Sequence, residues 1–334
     1  MNNSIVSLKT CALCREIPDL LPKKGRIITI IDAAIVQNYG TYFPMPQISI
    51  NTSEKSKSLK MVERITTMLL ALEADRETTI VAAGGGVVTD LCGFVASTYM
   101  RGVPFVFVPT TLLAMVDAAI GGKNGVNLSV YKNIIGLFRM PEHTIVCPHF
   151  LHTLPPKEYK EGLAEMVKSF ILADREAFFT FISLSKETQS DYKSISPYIF
   201  KAAAIKRAIV ERDPFEKGER KLLNLGHTFA HAIELTKNIS HGKAVGIGIA
   251  LAAKLSVKRS LLKQEECDTI IAGLNKIGLK TSSPVPMSKV VDVIKKDKKR
   301  SGDVIHFVLI RKIGEAVIHP LPINELNDIL YDLS

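Results

Sequence analysis

The sequence has no tryptophan, few other aromatic residues and only five cysteines among its 334 residues. The cysteines are odd in number, and Cys11-x-x-Cys14 is the only close pair, which favours free thiols over a disulfide framework or a zinc-binding motif. Every apolar stretch is interrupted well short of a membrane span, and the N-terminal segment has no apolar region with a cleavage site. We therefore expect a cytoplasmic protein with no membrane partner.

The chain carries a formal net charge of +10, with 46% apolar and 23% charged residues. These proportions are typical of a globular protein, and the length is sufficient for two domains. The densest basic run, "KKDKKR" at 295–300, contains an acid and no aromatic residue. No recognisable nucleic-acid module is present, so we expect no nucleic-acid partner, and an anionic small substrate is the alternative that explains the charge.

The two halves of the chain differ in periodicity. Strand-like segments and one helical segment (56–74) alternate in the first half, which predicts a parallel sheet covered by helices; the strands are expected at 26–32, 47–50, 78–83 and 104–109. After the double proline at 155–156, helical patterns dominate at 157–184, 195–213 and 243–262, with a late strand or hairpin at 304–310. We predict an α/β domain over residues 1–153 and an all-α domain over 154–334.

A glycine turn gives the first domain its nucleotide signal. "VAAGGGVVTDLCGFVAS" (81–97) predicts a strand, a turn at Gly84–Gly86 with positive φ, and a helix whose free N–H groups suit a pyrophosphate, with Asp90 facing the same pocket. This is not the usual GxGxxG fingerprint, and a tight structural turn is the alternative. Thr110, Thr111 and Asp117 follow the next strand, so two polar strand ends meet at one edge, as in a Rossmann-like domain.

Residues 157–184 contain an acid and a lysine on one helix face. Glu165 and Lys168 are three residues apart, which is the spacing of a site pair and equally of a surface salt bridge. Lys160 and Glu161 lie nearby, and charge alone does not distinguish them from the first pair.

The segment "LLNLGHTFAHAIE" (222–234) is predicted to be helical. Arg220, Asn224, His227 and His231 are spaced by 4, 3 and 4, which places them on one polar stripe of a helix. His241 follows at the start of another apolar helical segment. Imidazole and carboxylate together suit Zn²⁺. Two metal sites are consistent with the spacing: His227 with His231 and an acid, or His227 with His241 and an acid.

Five stretches together resemble the 3-dehydroquinate synthase family of the shikimate pathway. They are "GGGVVTDLCGFVASTYMRGVPFVFVPTTLLAMVDAAIGGKNGVN", "YKNIIGLF", "GLAEMVKS", "LLNLGHTFAHAIE" and "SHGKAVGIG", and the resemblance runs in order from about residue 26 to 310. It implies an NAD-binding α/β domain and a helical domain with one divalent metal, Zn²⁺ or Co²⁺, in a homodimer. The implied substrate is 3-deoxy-D-arabino-heptulosonate 7-phosphate. Transient oxidation by NAD, loss of phosphate, re-reduction and an aldol closure convert it to 3-dehydroquinate.

The resemblance also assigns residues. It selects the second metal site, with Glu165, His227 and His241 as ligands. Substrate-binding positions match Arg101 (reaching the neighbouring subunit's site), Lys123, Asn133, Lys206, Arg220, Asn224, His231 and Lys298. Asp117, Lys168 and His231 match catalytic positions. Cofactor-binding positions match Asp32, Glu54, Lys57, Gly85, Gly86, Asp90, Thr110, Thr111, Lys123, Lys132, Phe150 and Thr153.

Three positions depart from the family pattern. The family commonly has glycine at Thr89, threonine at Asn124 and glutamate at Lys243. None of the three matches a ligand position, so we expect tuning of the activity rather than its loss.

Overall fold

The computed structural model describes residues 5–129, 131–298, 303–331 and 333, apart from the side chains of residues 297 and 298. The chain divides into two compact units. The first comprises Met1–Tyr159 with Tyr192–Phe215, and the second comprises Lys160–Asp191 with Glu216–Ser334. The predicted domain boundary between residues 153 and 154 stays a prediction. The two compact units differ from the predicted domains most clearly in Tyr192–Phe215, which belong to the first unit.

The first unit is built on a six-stranded parallel sheet with the order β1-β8-β5-β4-β2-β3. Its strands are β1 (Leu8–Thr10), β2 (Ile27–Asp32), β3 (Gln47–Ile50), β4 (Thr79–Gly84), β5 (Phe105–Pro109) and β8 (His143–Val146). The order in which successive strands are added reverses between β2 and β4, because β3 lies beyond β2 on one side and β5 beyond β4 on the other. Ligands of such sheets bind at this switch point, outside the carboxyl ends of the strands.

Helices and a hairpin complete the first unit. The helices are α1 (Ile17–Leu20), α2 (Ala33–Tyr39), α3 (Leu59–Ala71), α4 (Gly86–Thr98) and α8 (Tyr192–Arg212), and the antiparallel hairpin is β6 (Lys123–Leu128) with β7 (Tyr131–Phe138). The core lies between the sheet and α3 and α4, where Ile30, Ile80 and Phe107 pack against Leu69 and Val95. The four predicted strands and the predicted helix are confirmed.

The second unit is mostly helical, as predicted, and contains one hairpin. Its helices are α5 (Pro156–Ala173, whose first turn belongs to the first unit), α6 (Arg175–Ser183), α7 (Lys186–Ser190), α9 (His227–Thr236), α10 (His241–Lys258), α11 (Gln264–Lys276), α12 (Met287–Lys298) and α13 (Leu326–Leu330). The predicted helix at 157–184 is in fact two helices, because Asp174 ends α5 and caps α6 through its carboxylate. The hairpin is β9 (Val304–Lys312) with β10 (Glu315–Pro322), which confirms the late strand.

The sequence predicts neither disulfide bonds nor membrane-spanning helices. All five cysteines are free, as predicted. All five are also buried, and Cys14 Sγ lies 3.8 Å from Cys147 Sγ. Among the described residues, no helix has the length and apolar character needed to cross a bilayer.

Candidate active site

One carboxylate and two imidazoles converge in the second unit. The Nε2 atom of His241 lies 3.0 Å from Glu165 Oε1, and the Nε2 atom of His227 lies 3.5 Å from the same oxygen. Glu165 comes from the middle of α5, His227 begins α9 and His241 begins α10. Their ligand atoms all lie within 4.8 Å of one another, and no other group of three such side chains does so in the described part of the chain.

Hydrogen bonds direct both Nε2 atoms toward the centre of this cluster. The Nδ1–H of His227 donates to the carbonyl oxygen of Leu225 at 3.2 Å, because a carbonyl can only accept. The Nδ1–H of His241 donates to the carboxylate of Glu234 at 2.9 Å. Each ring is therefore anchored at Nδ1 and presents Nε2, the arrangement in which histidine ligates a metal.

Burial and charge set the protonation of the cluster. Burial and the Lys168 ammonium lower the pKa of His227 to about 4, so its imidazole is neutral near pH 7. Burial also opposes ionisation of Glu165, but Lys168 and the two histidines hold its pKa well below the usual value. For His241 burial is outweighed by the carboxylates of Glu165 and Glu234, which raise its pKa to about 10 in the absence of a metal.

The predicted Glu165–Lys168 pair is an ion pair, but it is not on the surface. Lys168 Nζ lies 2.5 Å from Glu165 Oε2, and the two side chains are only 3% and 1% exposed. The same ammonium donates to the carbonyl oxygen of Leu223 at 2.6 Å. Lys168 therefore fixes the orientation of the Glu165 carboxylate and connects α5 to the segment before His227.

The cluster passes a test of fit for a divalent metal. Its donors are one anionic oxygen and two imidazole nitrogens, a set typical of zinc and also suited to Co²⁺. The lysine beside the carboxylate neutralises its second oxygen and leaves the first facing the two Nε2 atoms. Three protein ligands leave room in a tetrahedral shell for substrate oxygen, which is the pattern of catalytic sites.

The predicted continuous helix through Arg220, Asn224, His227 and His231 is wrong. Glu219–Asn224 form a 3-10 helix, and α9 starts only at His227. Gly226 separates the two with φ of +78°, and a Cβ at this position would lie 2.6 Å from the backbone nitrogen of Ile249. A side chain is excluded there both by conformation and by contact.

The residues of this stripe still reach one region of the second unit. Asn224, His227 and His231 line the same pocket, together with His306 of β9, which sequence reasoning missed. The rings of His227 and His231 have centroids 5.5 Å apart, with an interplanar angle of 88°. Arg220 is buried. The Nδ2 amide of Asn224 donates to Glu216 at 2.9 Å.

At the switch point of the sheet, the predicted positive φ of the glycines is wrong. Gly84 ends β4, Gly85 caps α4 in extended conformation with φ of −74°, and Gly86 is the first residue of α4. The glycines are needed for close packing instead, since a Cβ on Gly84 would lie 2.3 Å from Val88 and one on Gly85 would lie 3.0 Å from Thr111. No side chain caps the helix start, so its first N–H groups suit a phosphate.

Two ion pairs of the first unit involve predicted site residues. Lys57 bonds to both Asp90 and Asn133, and burial raises the pKa of Asp90 although the Lys57 charge opposes this shift. In the second pair, Lys206 Nζ lies 2.5 Å from Asp117 Oδ1 and 2.6 Å from its carbonyl oxygen. The structure therefore brings the predicted residues together in groups, each with a paired cation.

The other predicted cofactor positions lie in the first unit. Asp32 ends β2 at the switch point and caps α2 through a bond from Ala34 N. Tyr39 donates to or accepts from Thr153 Oγ1 at 3.0 Å. The remaining positions are Glu54, held by Asn127, Thr110 beyond β5, Thr111 beside Gly85, buried Phe150, and exposed Lys123 and Lys132 on the β6–β7 hairpin. The side chain of Lys298, at the end of α12, lies outside the described residues.

Of the three residues that depart from the family pattern, two hydrogen-bond to nearby backbone carbonyls and the third is exposed. Thr89 is buried and its hydroxyl donates to the Gly86 carbonyl at 3.1 Å. The Asn124 amide donates to two carbonyl oxygens, those of Gly122 at 3.0 Å and Arg139 at 2.8 Å. Lys243 is exposed.

A parallel α/β unit with a glycine turn at its switch point, in one chain with a helical unit that carries a carboxylate–imidazole cluster, defines a nucleotide-binding, metal-dependent class of enzyme. The family model described as 3-dehydroquinate synthase N-terminal matches residues 47–161, and the model described as 3-dehydroquinate synthase C-terminal matches residues 162–300. The chain belongs to the 3-dehydroquinate synthase family.

Individual relatives agree with this assignment. A 3-dehydroquinate synthase of Coxiella burnetii (strain CbuG_Q212) is 44% identical over 273 residues, which cover 79% of this chain and 76% of the relative. The 3-dehydroquinate synthase of Campylobacter concisus (strain 13826) is 41% identical over 275 residues, with 81% and 79% covered.

Solved structures show the same fold. The 2-epi-5-epi-valiolone synthase of Streptomyces hygroscopicus subsp. jinggangensis 5008, solved with NAD⁺ and Zn²⁺ bound, is 26% identical with a TM-score of 0.88, over 98% of this chain and 96% of that one. A 2-deoxy-scyllo-inosose synthase, 24% identical, has a TM-score of 0.84 over 97% and 96% of the two chains.

Proposed function

We propose that this protein is a 3-dehydroquinate synthase that converts 3-deoxy-D-arabino-heptulosonate 7-phosphate to 3-dehydroquinate and inorganic phosphate. The observation that carries the proposal is the cluster of Glu165, His227 and His241 in a chain 44% identical to a protein of that name. The pairing of Lys168 with Glu165 and of Lys206 with Asp117 adds lysines at positions that the family resemblance assigns to catalysis or substrate binding.

The residues present fit both groups that the proposal requires. Glu165, His227 and His241 would hold Zn²⁺ or Co²⁺, and the uncapped start of α4 beside Gly85 would receive the pyrophosphate of NAD. Asp32, at the carboxyl end of β2, is proposed to bind a ribose hydroxyl. When bound, the metal supplies a Lewis acid for substrate hydroxyls and NAD supplies a hydride acceptor that is restored in each turnover.

The chain's own groups would position the substrate and move its protons. Arg220 and Lys206 are proposed to bind the carboxylate, for which the planar guanidinium gives a two-point contact. Lys123, Asn133, Asn224, His231, Lys298 and Arg101 of the neighbouring subunit are proposed to bind the phosphate. Asp117 and Lys168 would orient the reacting hydroxyls and shift protons, and each is already held by a buried partner of opposite charge.

Three rivals are less well supported. The valiolone and inosose synthases share the fold, but their substrates lack the carboxylate that the buried cations Arg220 and Lys206 would bind. A protein described as a probable glycerol dehydrogenase from Sinorhizobium meliloti 1021, 14% identical with a TM-score of 0.59, shares only the fold. An alcohol dehydrogenase reaction would consume NAD stoichiometrically. A non-catalytic NAD-binding protein would not require the intact metal-ligand cluster.

A comparison of substrates tests the proposal. The purified protein, supplied with Zn²⁺ or Co²⁺ and a trace of NAD, is expected to form 3-dehydroquinate from the heptulosonate phosphate. Glucose 6-phosphate, which has no carboxylate, should release phosphate at least about 10²-fold more slowly, because it offers no anion to the buried cations Arg220 and Lys206. Faster turnover of the sugar phosphate would instead favour a cyclase of the inosose type.

The proposal includes a homodimer in which Arg101 acts in the neighbouring subunit's site. Met100 and Arg101 have positive φ, +48° and +68°, a conformation that costs about 1–2 kcal/mol per residue and that persists only where surroundings impose it. Arg101 is exposed at this turn. The β6–β7 hairpin exposes Ile134 and Phe138 as well, an apolar edge that a second copy would cover.

The buried free cysteines support a cytoplasmic location, which cell fractionation would test.

Subunit mixing tests the role of Arg101. Arg101→Ala and His241→Ala chains should each be nearly inactive as homodimers, since each lacks one part of every site. Random exchange of a closed dimer should restore about a quarter of the wild-type activity, because one site in each mixed dimer is complete. A mixture of Arg101→Lys and His241→Ala chains serves as the control, because it keeps the positive charge at residue 101 and changes only the shape of the side chain. No recovery after verified exchange would show that Arg101 does not act across the interface.

A further inference from the structure

Glu234 is an acid that sequence reasoning did not single out. It lies on α9, seven residues after His227 and three after His231, so that all three project from one face of the helix. Its Oε1 lies 2.9 Å from Nδ1 of His241, and its side chain is 18% exposed. The contact therefore joins the start of α10 to the last turn of α9, at one of the three members of the metal-ligand cluster.

His241 depends on partners from other helices because its own helix start is poorly capped. Ser240 precedes α10 but makes no side-chain cap. Instead, the Glu161 carboxylate of α5 accepts a hydrogen bond from Gly242 N. This bond fixes the backbone beside His241, and the bond to Glu234 fixes the rotation of its ring. Glu161 and Glu165 are one turn apart on α5, so this helix supplies both a ligand and the anchor of another ligand's backbone.

We propose that Glu234 is the positioning residue of the metal centre, which holds the His241 ring so that Nε2 faces Glu165. The carboxylate can only accept from Nδ1, so it selects the tautomer whose Nε2 lone pair is available to a metal. The inference rests on the proposed metal site, and it adds to that site an anion that makes the imidazole a stronger donor. Glu234 itself contacts Nδ1, on the side of the ring away from Nε2, so it is not one of the residues that would ligate the ion.

The expected effect is a loss of metal affinity rather than of fold. Partners of this kind change affinity about 10–100-fold, so Glu234→Ala should weaken Zn²⁺ binding by about that factor. The Zn²⁺ affinity of Glu234→Gln should lie between those of the wild type and Glu234→Ala, because its amide oxygen still accepts a hydrogen bond from Nδ1 but carries no charge. The matched control is Glu266→Gln, an acid of the same unit that pairs with Arg175.

The test is a competition titration of the metal-free full-length protein with Zn²⁺ against a chromophoric chelator, without NAD or substrate. The visible spectrum of the Co²⁺ form should also shift in Glu234→Ala, since the geometry at His241 changes, while the control keeps the wild-type spectrum. Wild-type affinity in Glu234→Ala would overturn the inference, and so would equal loss in Glu266→Gln. A wild-type protein that binds no metal would contradict the proposed function instead, so the two failures are distinguishable.

Discussion

His241→Ala is expected to lose tightly bound metal, whereas His231→Ala is expected to keep the metal and lose turnover. The structure separates the two histidines although both lie close to His227. His241 Nε2 faces the Glu165 oxygen at 3.0 Å, and this oxygen is shared with His227. His231 meets His227 ring to edge and belongs to the pocket wall beside Asn224. His231 therefore has a place beside the metal cluster rather than in it.

The size of each effect follows from the role. Loss of one of three protein ligands should lower affinity by more than the about 10–100-fold that an outer partner contributes. Loss of a phosphate contact that also acts in proton transfer should lower kcat by about 10²–10⁴-fold. Metal content after exhaustive dialysis, measured by mass spectrometry, and kcat on the heptulosonate phosphate check both. Retained metal in His241→Ala, or lost metal in His231→Ala, would reverse the assignment.

Glu165→Gln is expected to lose the metal and, independently, to destabilise the metal-free protein by about 3–5 kcal/mol. Its carboxylate and the Lys168 ammonium are 1% and 3% exposed and lie 2.5 Å apart. The neutral amide leaves the buried ammonium without the anion that offsets its desolvation. The free energy of unfolding, measured in urea with a chelator present, checks the second effect.

Lys168→Met supplies the matched control for Glu165→Gln. The double variant removes both charges and should recover at least half of the lost stability, because an apolar replacement of a buried ion pair is often nearly neutral. The double variant should still bind no metal. If Glu165→Gln unfolds at the same urea concentration as the wild type, the buried ion pair does not contribute to stability.

The parts of the site that sequence could predict are those set by local pattern. The strands ending in Asp32 and Gly84, and the helix face joining Glu165 to Lys168, follow from periodicity and are present. Gly226 shows the limit of the same reasoning. One left-handed residue breaks the helix that the spacing of the stripe predicted, because Ile249 of α10 packs against that backbone. Such a contact is set by the tertiary structure and leaves no local signal.

The acids around His241 show the same limit in another form. The sequence does not distinguish Glu161 from Glu165 as a candidate site residue. In the structure, Glu161 accepts a hydrogen bond from Gly242 N, and Glu165 faces the imidazoles. Glu234 is distinguished only by the approach of α10 to α9. The family resemblance selected His241 over His231 as a metal ligand, and the geometry of the cluster is consistent with that choice. The individual roles of the substrate residues stay predictions.

The number of phosphates released per NAD tests the central claim most directly. The metal-loaded protein is incubated with a trace of NAD and an excess of 3-deoxy-D-arabino-heptulosonate 7-phosphate. The account predicts that many phosphates and an equal number of 3-dehydroquinate molecules form for each NAD, with no build-up of NADH absorbance, because the cofactor is restored in every cycle. Release that stops at one phosphate per NAD, or NADH that accumulates with the product, would contradict it.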